Sequence, residues 1–340
     1  MLVSCDEEDI GEVPEHYPNI DDTIPEVDLN MYIIVGEGTS SNAIDTVSRA
    51  ISQYTLKTYH TSLNVKYVSA DEYESTMLAA VGATDASAAN IVLVNSIDTM
   101  NSLIATEKLV DLVPYLDTDD FGTLKVKIPT VLLDAAKTGE SLYALPNNHI
   151  IGEYEYLVIN EEVAKHVLKE NPSKLASYNT YESTEELRAE MVQAGYDANQ
   201  YVYIQNGPYS LKAELEAQGN VCNVVSLPES TAEEAFSSAF AIVNSTELAN
   251  QRAMEIIYAL SSDTELRNLL QYGVAGTNYT ETHEDGVSEI FMVDSEKNSY
   301  RMNIEYTGNM FICSYCDELG WTLENAISGQ KQNEQAILAN

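Results

Sequence analysis

Long apolar runs and positive charge are what this sequence most conspicuously lacks. No stretch of about 18 or more apolar residues occurs, so no segment reads as a membrane-spanning helix. Lys and Arg total 17 against 54 Asp and Glu, a formal net charge of -37. A surface of that sign repels a phosphate backbone, which excludes nucleic acid as a partner. Catalytic signatures are missing too: there is no His-Glu-x-x-His zinc pattern and no Gly-x-Ser-x-Gly nucleophile elbow. The five histidines, His16, His60, His149, His166 and His283, are scattered along the chain. Gly36-Glu37-Gly38-Thr39-Ser40-Ser41 opens like a dinucleotide loop but carries Ser41 where the third glycine belongs, so it reads as a strand-to-helix turn. Among 54 carboxylates a pair at glycosidase spacing arises by chance, and none is singled out. We expect no catalytic residue and no cofactor.

What is present suits a folded body. Hydrophobic residues make up 44% and charged residues 21%, ordinary globular values. At 340 residues the chain exceeds the roughly 250 to 300 at which single cores stop growing, and two lobes are expected.

Cysteine is scarce, at four. Leu2-Val3-Ser4-Cys5 reads as the end of a lipoprotein signal peptide, with Cys5 the acylated residue. Residues 6–28 hold ten acidic residues, three prolines and no Lys or Arg, the composition of a solvated tether. The expected setting is the extracellular face of a cell membrane, reached through the lipid alone. Cys222, Cys313 and Cys316 then remain, an odd number that leaves a free thiol. Cys313-Ser-Tyr-Cys316 has metal-ligand spacing, but the second ligand pair of a zinc site is missing and no metal is expected.

Hydrophobic periodicity predicts alternating strands and helices. Met31–Val35, Asn64–Val68 and Ile91–Val94 read as buried strands. Ile44, Val47, Ile51 and Tyr54 recur at helical spacing after Ser40, and Ser69/Glu72 and Ser183/Glu186 have capping-box spacing. A mostly parallel, doubly covered sheet follows from this alternation. Ligands of such sheets sit beyond the carboxyl ends of the strands, which nominates Glu37, Thr39, Ser40 and Asn95. The polar break Pro146-Asn147-Asn148-His149 marks a first crossing between lobes, and Ser237–Val243 a second. Later come strands at Tyr201–Ile204 and Val221–Val225, a helix closed by Gly273, extended pieces around Ile290 and Tyr306, and a helix after Trp321.

Tyrosine outnumbers the other aromatics, 22 against 5 Phe and 1 Trp. A pyranose offers an apolar face for stacking and a rim of hydroxyls, so Tyr154 and Tyr209, beside a crossing and a turn, are candidate stackers, with Trp321 a further platform. Asn147, Asn148 and Asn206 carry amides that donate and accept, which suits neutral hydroxyl-rich ligands. The same residue types also serve as turn and core residues.

Several segments resemble extracellular solute-binding proteins of ABC importers, particularly the lipoprotein type of Gram-positive gut bacteria associated with sugars. They are Leu2-Val3-Ser4-Cys5, Leu109-Val110-Asp111-Leu112, Leu142–Asn147, Gly207-Pro208-Tyr209-Ser210, Ser237–Ile242, Leu269–Gly276, Tyr306-Thr307-Gly308-Asn309 and Lys331-Gln332-Asn333. Their order along the chain carries the resemblance. It implies a two-lobed α/β fold of the type II periplasmic-binding-protein-like class, with the ligand in a cleft between lobes that close about a hinge. The segment between Ile150 and Phe236 is shorter than the family's usual second lobe. The implied organisation is a signal remnant and tether over 1–28, lobe 1 over 29–148 and lobe 2 over 149–238. Residues 239–340 return to lobe 1 and supply elements shared by both. The implied partners are a small solute, a carbohydrate in kind, and permease subunits of the transporter. Rival classes are a surface glycan hydrolase or other cleft enzyme, a receptor for peptides or other solutes, and a static adhesion module.

Overall fold

The computed structural model describes residues 24–169, 172–284 and 287–339. Cys5 and nearly all of the acidic segment lie outside them.

The chain begins with β1 (Val27–Ile34), the helix Ser41–Tyr59, β2 (Thr61–Val68), the helix Ala70–Gly82, β3 (Ile91–Val94) and the helix Ile97–Ile104. Short helical turns then lead to β4 (Ala144–Pro146). Next come β5 (Tyr154–Asn160), β6 (Val202–Gly207) and β7 (Asn220–Ser226), separated by helices that include Glu161–Leu168, Glu185–Gln193 and Leu211–Ala217. After β8 (Glu229–Ser230), β9 (Ala239–Ile242) is followed by the helices Glu247–Leu260 and Thr264–Tyr272. The hairpin β10 (Tyr279–Glu284) and β11 (Val287–Met292) precedes the helix Leu323–Gln335 and β12 (Ile337–Leu338).

Two main sheets result. The first has the order β2-β1-β3-β9-β4, with β1 parallel to β2 and β3. β9 is antiparallel to both β3 and β4, so the sheet is mixed rather than mostly parallel. The chain enters β9 on its way back from the second lobe, at the edge from which β4 left. The second sheet, β6-β5-β7, is antiparallel throughout. Its central strand shows the period of two: Leu157 and Ile159 enter one core while Tyr154, Tyr156 and Val158 enter the other.

The expected helix after Gly36 forms because the Ser40 hydroxyl caps it, accepting from Ala43 N at 3.1 Å, while Val47, Ile51 and Tyr54 face the core. The two capping boxes do not form as predicted. The Ser69 hydroxyl meets the Glu72 carboxylate at 3.3 Å instead of a backbone N–H. Ser183 donates to Thr180 O at 2.6 Å, and Thr184 takes the cap position. Tyr306 lies in a 3-10 turn, Ile304–Thr307, rather than in an extended piece. Arg267 imposes that turn: it is fully buried, and its guanidinium donates to Ile304 O at 2.6 Å and Asn309 O at 3.1 Å.

The return to the first lobe comes earlier than the sequence suggested. Ala235 and Phe236 already belong to the first-lobe core, and Ala239–Ile242, expected to be a crossing, is fully buried β9. An apolar run of this kind serves a central strand as readily as a connector. The crossings are therefore 147–153, between β4 and β5, and the short stretch around β8 between β7 and the helix Ala232–Ala235.

Candidate functional site

The carboxyl ends of β1, β3 and β4 and the amino end of β9 share one edge of the first sheet. The segment 297–309 is sewn along it. Gly36 N donates to Arg301 O at 2.9 Å, and Ser40 N donates to Ser299 O at 2.8 Å. Thr39 Oγ1 both donates to Arg301 O and accepts from Arg301 N, each at 2.9 Å. The Ser40 hydroxyl also donates to Lys297 O. Thr39 and Ser40 thus hold the wall together rather than face a ligand, because their hydroxyls are engaged in the chain's own bonds. Glu37 stands exposed at the tip of this turn.

Half-buried Asn95 follows β3, accepts from Thr99 Oγ1 at 3.0 Å and lies beside the Tyr306 hydroxyl. Burial raises the Tyr306 pKa and the Glu305 carboxylate adds to it, while the neighbouring Asn95 amide opposes both; Tyr306 stays a neutral donor and acceptor. Asn147 is buried, and both N–H groups of its amide are engaged, donating to Ser238 Oγ at 2.8 Å and Glu305 O at 3.0 Å. It is a brace between crossing and wall.

The helix Leu323–Gln335 lies along the first crossing and reaches the second lobe. Gln332 Nε2 donates to Ile151 O (2.9 Å) and Gly152 O (2.6 Å), and its Oε1 accepts from Tyr209 N at 2.9 Å. Ser328 Oγ accepts from Ser210 N at 3.1 Å. Asn333 accepts from Ile151 N at 2.9 Å and donates to His149 O at 2.7 Å. Asn148 faces a groove of about 290 Å³ with Lys127, Phe311 and Glu334. Its amide donates to Lys127 O at 2.8 Å. An apolar hollow of about 340 Å³, lined by Val113, Leu116, Leu133 and Leu142, shares no residue with the crossings.

His149 and Glu234 join the two crossings. His149 Nδ1 donates to Asn147 O at 2.8 Å, and Nε2 lies 3.2 Å from Glu234 Oε1, which also accepts from Gly152 N at 3.3 Å. Burial alone would lower the His149 pKa, but Glu234, with Glu305 and the Asn147 carbonyl, outweighs it and holds the group above its ordinary 6.5. For Glu234, burial acts upward, yet His149 and the Gly152 N–H hold it below its ordinary 4.5.

Two of the nominated aromatic platforms are core residues. Tyr154 is 1% exposed, stacks on Tyr156 at 5.4 Å and donates to Gln335 Oε1 at 3.1 Å. Trp321 is 2% exposed and packs edge-on to Phe311 at 5.6 Å within the core of the C-terminal elements. Both were misread because a ring large enough to stack on a sugar is also the best filler for a small core. Tyr209 is half-buried, edge-on to Tyr154 at 6.1 Å, with Lys331 Nζ 5.4 Å from its ring centre. Asn206 is exposed on β6 opposite Glu155.

The structure thus brings Asn95 to Tyr306, Asn147 to Glu305, and Tyr209 to Tyr154 and Gln332. Tyr306, Glu305, Gln332, Glu234 and His149 were missed as site residues. Tyr306 and Gln332 stand inside segments that carried the resemblance, the one signal that could have found them.

No protein-family model and no curated protein matches the chain. Solved structures do. The N-glycan transport solute binding protein NgtS from Streptococcus pneumoniae superposes with a TM-score of 0.58 at 15% identity, covering 92% of this chain and 84% of that one. The same protein in complex with Man1GlcNAc gives 0.57 at 13% identity, covering 92% and 84%. Its complex with Man5GlcNAc gives 0.56 at 13%, covering 92% and 83%. With its two sheets and paired crossings, the chain has the two-lobed α/β fold of the type II periplasmic-binding-protein-like class.

Proposed function

We propose that this chain is the substrate-binding component of an ABC import system and captures a sugar or oligosaccharide between its lobes without altering it. The observation that carries the reading is the likeness, over 92% of the chain, to a two-lobed protein solved with Man5GlcNAc bound. The wall built from Asn95 and Tyr306 supports it, since a neutral phenol and an amide suit a hydroxyl-rich ligand. Of the nominated residues, Glu37 and Asn206 are exposed and Tyr209, Asn148 and Asn95 half-buried, and we assign these to the ligand with Tyr306. Among the described residues no helix is long and apolar enough to cross a membrane. We place the protein on the extracellular face, held by lipid on Cys5 and delivering its solute to permease subunits.

The test is a thermal-shift screen of neutral mono- and oligosaccharides, with recovery of each hit for mass analysis. A ligand specific to the folded form adds about 2.7 kcal/mol of stability at a hundredfold excess over its Kd. The hit should return intact, and Tyr306→Ala should weaken it at least tenfold, as expected for about 1.4 kcal/mol or more of lost contact. Cleaved sugar would sink the receptor reading, and a peptide hit with no sugar hit would sink the carbohydrate assignment.

A further inference from the structure

The two connections between the lobes meet at one buried histidine. His149, on the first crossing, is 2% exposed. Each of its ring nitrogens faces an acceptor: the Asn147 carbonyl oxygen at 2.8 Å and Glu234 Oε1 at 3.2 Å. A neutral imidazole carries one N–H and one lone pair, so it can satisfy only one of these and must turn a lone pair toward the other. With Glu234 ionised, as its lowered pKa keeps it, both bonds exist together only in the imidazolium. Glu234 belongs to the helix Ala232–Ala235 just past the second crossing, and its carboxylate also accepts from Gly152 N at 3.3 Å. One ion pair therefore closes the first crossing onto the helix in which the second ends. Asn333 adds a third strand of the hinge by donating to the His149 carbonyl at 2.7 Å.

We propose that the imidazolium of His149 is a latch between the two crossings, and that its deprotonation releases them and makes capture of the ligand pH-dependent. The regulatory half of this inference rests on the receptor reading above; the latch itself does not. His149 is a positioning residue, since it acts through the hinge.

The charged groups acting on His149 are Glu234 and Glu305, both acidic, and they favour the protonated form against burial. A histidine raised in the fold contributes stability that is fully present below its ordinary 6.5 and is lost as pH climbs through the folded value. A carboxylate lowered in the fold contributes above its ordinary 4.5 and loses that contribution as pH falls through the folded value. The latch is complete between those two values and opens on the alkaline side through His149. Once it opens, Glu234 and Gly152 are no longer tied through the ring to Asn147, and the lobes lose a shared restraint. Ordering them again on ligand capture then costs affinity.

The experiment begins on the ligand-free protein. Imidazole NMR titration of the full chain should show His149 titrating above 6.5. Its signal should vanish in His149→Gln and shift to lower pKa in Glu234→Gln. Affinity for the best sugar from the screen should then fall about fivefold or more between about pH 6 and about pH 9. His149→Gln, whose amide donates at every pH, should flatten that dependence. A His149 that titrates below 6.5 in the wild-type protein overturns the latch without any variant having to fold. Equal affinity across a range in which His149 changes protonation overturns the regulation. Absence of any sugar ligand would instead sink the receptor reading and leave the titration intact.

Discussion

A single methyl group at Gly36 should loosen the wall of the site. A Cβ there would run into the Arg301 carbonyl oxygen and stand 2.7 Å from its carbonyl carbon, where ordinary contact is 3.4–4 Å. The obstacle is backbone, so no side chain can rotate away. The protein can keep the clash, at the about 1–3 kcal/mol typical of overpacking. Alternatively it can move the segment that carries Arg301. That motion endangers the Gly36–Arg301 backbone bond, both Thr39–Arg301 bonds and Ser40 N to Ser299 O. At about 0.5–1.5 kcal/mol net for each bond, losing most of them costs at least as much as the clash. The cheaper route wins, and Gly36→Ala should lose about 1–3 kcal/mol, read as a lower urea midpoint at unchanged slope. Gly82→Ala is the control: nothing lies within 4 Å of its Cβ, and the residue ends the helix Ala70–Gly82 with no left-handed φ. Its midpoint should hold or rise. If the two variants unfold at the same urea concentration, the docking of 299–301 on the β1 turn is not what steadies this wall.

Two further outcomes concern the cysteines. Expressed with its full leader, the protein should partition with membranes and Cys5→Ala should release it; equal solubility of both would remove the lipid anchor. In that variant, thiol titration of the denatured, non-reduced chain should find three free groups, because Cys222, Cys313 and Cys316 are all unpaired. In the native protein Cys222 should alkylate slowly near about pH 8, since burial pushes its thiol up to about 11; fast labelling would contradict that burial.

The gap between reading and structure follows interaction range. Alternation of apolar runs with helical spacing located β1, β2, β3, β6 and β7, because period and turn chemistry act within a few residues. The same logic failed at Ala239–Ile242, where an apolar tetrapeptide looked like a connector until its pairing with Ile91–Val94 was visible. It failed at Tyr154 and Trp321, whose ring chemistry was judged correctly but whose burial depends on neighbours such as Gln335 and Phe311.

By itself, then, the sequence determined the charge, the order of strands and helices and the first crossing at Asn147–His149. Each of those follows from composition or from residues close together in the chain. Only the tertiary structure decided that Tyr306 meets Asn95, that Gln332 ties the last helix to Tyr209, and that Glu234 finds His149 across 85 positions. Such pairs are set by which strands lie side by side, and hydrogen bonds reaching about 3 Å carry no trace of their partners in local periodicity.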